Sequence, residues 1–111
     1  MDCIFCKIAS REISSNIVFE NEKVLAFRDI NPQAPVHIVV IPKTHIDTLN
    51  DVKDFGIYVE IFKVINEIVK KEGIDKNGYR VVANCNKDGG QTVFHLHFHL
   101  LGGRYMDWPP G

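Results

Sequence analysis

From His95 to Leu101 the chain alternates histidine with large apolar residues: His95-Leu96-His97-Phe98-His99-Leu100-Leu101. Only extended backbone turns a period of two into two chemically distinct faces. The pattern predicts a strand over 95–101, with His95, His97 and His99 on one face and Leu96, Phe98 and Leu100 on the other. Same-face neighbours on a strand lie roughly 6.5–7 Å apart, so three imidazoles line a surface about the size of a phosphate and its leaving group. The apolar face needs a covering layer, and the segment 51–71 reads as the one long helix. There Phe55, Tyr58, Phe62, Ile65 and Val69 recur at spacings of three and four, with Ile57, Ile61, Val64 and Ile68 as an adjacent stripe. Asn50 or Asp51 is placed to cap its start, Lys70 and Lys71 suit the helix dipole, and Gly73 ends it.

The remaining elements are short. Residues 3–9 read as a helix with Ile4, Phe5 and Ile8 on a common apolar side. Val18–Glu20 and Val24–Phe27 flank a turn and suggest a hairpin, and 29–35, with Pro32 and Pro35, reads as a loop. Val36–Ile41 is rich in β-branched residues and ends at Pro42, Tyr79–Ala83 is a further strand, and 84–91 is a polar loop bearing Gly89 and Gly90. One long helix and a short N-terminal helix against an antiparallel sheet of about five strands give an α+β fold. The 111 residues form a single domain, 1–111, without repeats or a linker.

A triple of histidines on one face is hard to explain by packing, since each buried imidazole needs a polar partner. Two chemistries fit: attack on phosphorus with acid/base support near neutral pH, or coordination of a catalytic metal that activates water. Upstream, Asp88-Gly89-Gly90-Gln91-Thr92 offers backbone N–H groups able to approach an anion, with side-chain donors on Gln91 and Thr92. This favours the phosphorus chemistry. Charge is nearly balanced, 13 Lys+Arg against 14 Asp+Glu, which leaves no basic excess for a nucleic-acid footprint. No apolar run approaches the ~20 residues of a membrane span. The first residues lack the pattern of a secretory signal, so the expected location is cytoplasmic, where Cys3, Cys6 and Cys85 stay reduced. Cys3-x-x-Cys6 is ambiguous between a metal half-site and a redox pair, and His45 is an unassigned candidate ligand.

The run His95–Leu101 resembles the histidine-triad motif. Phe27–Pro35, His37–Lys43, Asp88–Gln91, Leu101–Arg104 and Trp108–Gly111 extend the likeness over nearly the whole chain, toward the nucleoside phosphoramidase branch of the histidine-triad nucleotide-binding proteins. The resemblance implies that His97 attacks the α-phosphorus and forms a covalent nucleotidyl-histidine. The carbonyl of His95 would orient the nucleophile, and His99 would hold a phosphate oxygen together with Asn84, Gly90, Gln91 and Thr92. His37 would support the triad. Asp29 would accept from ribose hydroxyls, and Ile4, Phe5, Ile8, Phe27 and Ile30 would form the slot for a purine base. It further implies a structural zinc on Cys3, Cys6, His45 and His95, as in bacterial-type members, and no redox or organic cofactor. A homodimer is implied too, built on the wide helix face and an edge strand, with Trp108 reaching the partner's substrate site. Dinucleoside polyphosphate hydrolysis, a zinc hydrolase using the three histidines as catalytic ligands, and a nucleotide-binding or adaptor module whose turnover is incidental are the competing readings. Thr92 stands where many phosphoramidases carry serine, and Arg28 where a histidine is common.

Overall fold

The computed structural model describes residues 2–111. Strands β1 (Ile17–Glu20), β2 (Val24–Arg28), β3 (Val36–Pro42), β4 (Tyr79–Val82) and β5 (Phe98–Gly102) form one antiparallel sheet in the order β1-β2-β3-β5-β4. Helices α1 (Ile4–Ala9), α2 (Gly56–Lys71) and α3 (Asn86–Gly89) and a 3₁₀ turn at Leu49–Asp51 complete it. This is the α+β architecture expected from the sequence, with α3 as an addition inside the polar loop.

The sheet buries both faces. On one, Val24, Ala26, Ile38, Val40, Phe98 and Leu100 meet Ile61, Val64, Ile65, Ile68 and Val69 of α2. On the other, Leu25, Phe27, Val39 and Ile41 meet Ile8, with Phe5 and Ala9 also from α1. Cross-strand partners share a face, and β3 pairs with β5 so that Val39 stands opposite His99 and His37 opposite Leu101. The alternation therefore delivers His37 and His99 to the α1 side and Leu100 to the α2 side. Among the described residues no helix is long and apolar enough to cross a membrane.

Two boundaries differ from expectation. Helix α2 begins at Gly56 rather than 51, because Thr48 and Asp51 form a reciprocal capping box around the 3₁₀ turn and Val52 then takes an extended conformation. Asp51 does cap, but a different turn. The Gly56 N–H is met by the Asp54 carboxylate at 2.9 Å, and α2 has no side-chain cap at Phe55. A missing cap costs about 0.5–2 kcal/mol, less than the roughly 1.5–3 kcal/mol from each of the five aliphatic side chains α2 buries. At its other end Gly73, at φ 71°, bonds to Lys70 and Ile74 bonds to Val69, a paired closure that folds Ile74 into the core.

Strand β5 begins at Phe98 rather than His95. Pro42, which would stand opposite Leu96, has no N–H to give the ladder, and the Leu96 N–H bonds to the Ile46 carbonyl at 2.6 Å instead. Leu96 and Phe98 still face the α2 core, so the two-faced pattern outlasts the regular pairing.

Candidate active site

His97 is buried, and its Nδ1 lies 2.7 Å from the carbonyl of His95. A carbonyl only accepts, so Nδ1 carries the proton and Nε2 keeps a free lone pair. Burial lowers the pKa of His97 and keeps the ring neutral, which preserves that lone pair. The Phe5 ring stands edge-on to His97 at 5.1 Å between centroids and to His95 at 6.0 Å, backed by Phe27 at 5.4 Å.

His99 lies beside it, with ring centroids 5.0 Å apart. Its Nδ1 is 2.9 Å from Nε2 of His37, whose own Nδ1 accepts the backbone N–H of Gln33 at 3.0 Å. That fixed donor sets the whole chain: His37 is protonated on Nε2 and donates to His99 Nδ1, so His99 presents an Nε2–H. Burial, reinforced by His97 and His37, pushes the His99 pKa down to about 4, and burial lowers His37 as well. Near pH 7 His99 is a neutral donor rather than an acid. Asp29 places Oδ2 3.5 Å from His37 Nε2 while Oδ1 accepts from the Asn31 N–H at 2.8 Å. Arg104 clamps this 29–35 loop by donating twice to the Gln33 carbonyl.

The polar loop differs from its sequence reading. The N–H groups of Gly90 and Gln91 close the α3 turn onto Lys87 and Asn86, with Gly90 left-handed at φ 78°. The Gln91 side chain is buried and fully engaged. Its Nε2 donates to the carbonyls of Asp47 (2.9 Å) and Val93 (3.1 Å), and its Oε1 accepts from Asn86 N–H (2.9 Å). Gln91 braces the loop instead of offering free donors to an anion. Asn84 is half-buried and Thr92 exposed.

The apolar slot is also only partly assembled. Phe5, Ile8 and Phe27 pack together, but Ile30 is 97% exposed on its loop and Ile4 points into a separate cleft of about 470 Å³. That cleft is lined by Cys3, His45, Asp47, Thr92 and Phe94 among others. Trp108 is 80% exposed and lies over the Arg80 guanidinium on the edge strand β4, with Arg80 also donating to the Asp107 carbonyl.

Cys3, Cys6, His45 and His95 bring their ligand atoms within 4.8 Å of one another. His95 Nε2–H donates to the Pro42 carbonyl at 2.7 Å, and His45 Nε2–H to the Asp47 carboxylate at 2.6 Å. Both rings therefore turn an unprotonated Nδ1 inward, to sulfur at 3.3–3.5 Å. A tetrahedron with zinc–sulfur and zinc–nitrogen bonds of roughly 2.3 and 2.0–2.1 Å has S···N edges near 3.5 Å. The donor set, tautomers and outer partners fit zinc. Asp29, His37 and His99 also gather, but the His37 Nε2 proton closes that group on itself. The three triad rings do not converge on one point: His95 faces the cysteines, His99 faces His37, and His97 belongs to neither group. Cys85 is a half-buried free thiol.

Two contributors escaped the sequence reading. Gln33 acts through its backbone, which no side-chain pattern reveals. Asp47 was visible as His45-x-Asp47, two residues that can share a face of extended chain, but its partner role depends on the fold.

Comparison with known proteins agrees with this geometry. The chain is 51% identical to the 14 kDa zinc-binding protein of Zea mays, over 97% of this chain and 87% of the relative. It is 49% identical to purine nucleoside phosphoramidase of Escherichia coli K12, over 93% of this chain and 88% of that protein. The crystal structure of a HIT family hydrolase from Legionella pneumophila Philadelphia 1 superposes with a TM-score of 0.96 at 52% identity, covering 99% of this chain and all of the other (100%). The HIT domain profile matches residues 10–106, and the chain belongs to the HIT-domain family.

Proposed function

We propose that this chain hydrolyses purine nucleoside phosphoramidates through a covalent nucleotidyl-histidine on His97. The observation that carries the reading is the 2.7 Å bond from His97 Nδ1 to the His95 carbonyl, which leaves Nε2 unprotonated beside a neutral donor, His99. The relative named purine nucleoside phosphoramidase supports the substrate class.

In this mechanism the His97 Nε2 lone pair forms a bond to the α-phosphorus while the P–N bond breaks. The leaving nitrogen takes up a proton from solvent water and departs as ammonia or an amine. His99 Nε2–H stabilises charge on a phosphate oxygen, in an orientation set by His37 and Gln33. Thr92 and Asn84 would support the phosphate from the segment before the triad, and Asp29 would take the ribose hydroxyls. Phe5, Ile8 and Phe27 form one wall of the base slot. Water then attacks phosphorus and releases the nucleotide from His97. Cys3, Cys6, His45 and His95 would hold a zinc with four protein ligands, and such a closed donor set would supply structural support rather than a site for substrate. The zinc-binding protein of Zea mays supports that assignment.

The working form is a homodimer. Phe55, Val59 and Phe62 fall at i, i+4 and i+7 and are 66%, 54% and 44% exposed, a continuous apolar stripe along α2. Edge strand β4, with Trp108 over its Arg80, offers the second surface for a partner copy.

The test is a quench experiment with adenosine 5′-phosphoramidate labelled at phosphorus. Denatured protein should carry label that is labile in acid, and His97→Ala should carry none. Turnover without label on the wild-type chain refutes the covalent step. A panel including dinucleoside polyphosphates ranks the leaving groups on the same sample.

A further inference from the structure

The cysteine–histidine centre is tied to the reacting groups by two short paths. The first runs through one residue. The ring of His95 supplies a ligand atom and is pinned on its far side by Pro42, while the carbonyl of the same residue holds the His97 Nδ1 proton. His95 is completely buried, so its ring and peptide plane move together. Phe5, flanked in sequence by the ligands Cys3 and Cys6, presses edge-on against the His97 ring at 5.1 Å. The second path starts at His45, whose Nε2–H meets the Asp47 carboxylate at 2.6 Å. The carbonyl of Asp47 accepts from Gln91, which also donates to the Val93 carbonyl just past the polar loop and accepts from the Asn86 N–H within it.

We propose that this centre sets the geometry of the reacting half of the site, with His95 and Gln91 as the positioning residues that transmit it. His95 carries the constraint to the nucleophile. Gln91 carries it to the loop between Asn84 and Thr92, which keeps its shape only while segment 45–47 is held. Neither residue touches the reacting atoms with its side chain, and Gln91 has no polar atom left to do so. The proposal rests on His97 as nucleophile and the loop as phosphate support. It adds that ligand occupancy at a site outside the reaction governs both.

The test uses the full chain loaded with zinc, with AMP as the probe. Gln91→Glu keeps length and shape but removes both donated bonds, and it leaves all four ligands in place. The expected result is unchanged zinc stoichiometry and circular dichroism, AMP affinity weakened about tenfold or more, and a rise in KM larger than the fall in kcat. AMP affinity within twofold of wild type overturns the loop path. For the nucleophile path, histidine-selective ¹H–¹⁵N spectra read the His97 tautomer before and after chelation. The zinc-loaded chain should show a hydrogen-bonded Nδ1–H, and the metal-free folded chain a mixture of tautomers. An unchanged tautomer overturns this path. If the metal-free chain unfolds, Cys6→Ser at saturating zinc gives the same reading in folded protein, under the same criteria. Failure of the hydrolase reading looks different: no phosphoramidate labels His97, while the tautomer still responds to chelation and AMP affinity still responds to Gln91→Glu.

Discussion

His37 Nε2 sits 2.9 Å from His99 Nδ1, and the direction of that hydrogen bond is dictated by the backbone N–H of Gln33 on the far nitrogen of His37. A main-chain donor cannot reverse, so the relay has one stable polarity and ends in an Nε2–H on His99. Without His37, His99 is free to adopt the opposite tautomer and face a phosphate oxygen with a lone pair.

His37→Phe keeps a ring in the space and removes the donor. We expect kcat/KM to fall about 10- to 100-fold, a loss of about 1.4–2.7 kcal/mol of transition-state stabilisation. Steady-state kinetics on a phosphoramidate checks it. A variant within twofold of wild type would show that His99 needs no such orientation.

The low pKa of His99, about 4 against an ordinary 6.5, carries a stability consequence with a definite sign. Between those values the unfolded chain binds a proton that the folded chain refuses, so stability rises with pH. The contribution is complete above about 6.5 and is lost as pH falls toward 4. His37 and His97, also lowered by burial, act in the same direction. Urea unfolding should give a lower midpoint at pH 5 than at pH 7, and His99→Asn should flatten the difference. A midpoint that climbs on acidification contradicts neutral burial of these rings.

The stripe on α2 gives a separate expectation. Val59→Glu places a charge at its middle, on a side chain already 54% exposed, so the monomer fold should survive. Sedimentation should show a dimer for the wild-type chain and a monomer for the variant at micromolar concentration. A wild-type chain that sediments as a monomer removes the interface assigned to Phe55, Val59 and Phe62.

The sequence exposed what local pattern controls. The alternation at 95–101 named the residues of both faces, although the ladder itself starts only at Phe98, because strand length depends on Pro42 in another strand. The apolar spacing of α2 was plain, but its first residue was not, since Thr48, Asp51 and Asp54 all offer capping groups and tertiary burial of Val52 selects among them. Cys3, Cys6, His45 and His95 are visible in the sequence as residues, and their convergence, over 92 positions from Cys3 to His95, is a product of topology. The sequence presents Gln91 as a free donor, since its partners, Asp47 and Val93, reach it only in the folded chain. Ile30 was grouped with the slot by likeness, yet a loop without backing elements leaves it in solvent.

Adjacent glycines at the end of β5 should separate stability from function. Gly103 has φ 88°, and a Cβ there would lie 2.9 Å from Cβ of Pro35, a stiff ring in the loop that carries Asp29 and Gln33. Gly103→Ala adds backbone strain, about 1–3 kcal/mol, and pushes that loop away from His37. Gly102 lies outside the left-handed region, and its added Cβ would meet the flexible Cδ1 of Ile74 at 2.6 Å, on the α2 side of the sheet. Gly102→Ala therefore overpacks the core at about 1–3 kcal/mol without disturbing the histidine face. Urea unfolding should show comparable destabilisation for both. Only Gly103→Ala should also raise KM and lower kcat, since the Gln33 N–H and the Asp29 carboxylate move with Pro35. Equal kinetic effects from the two substitutions would mean that the 29–35 loop does not set the His37–His99 relay.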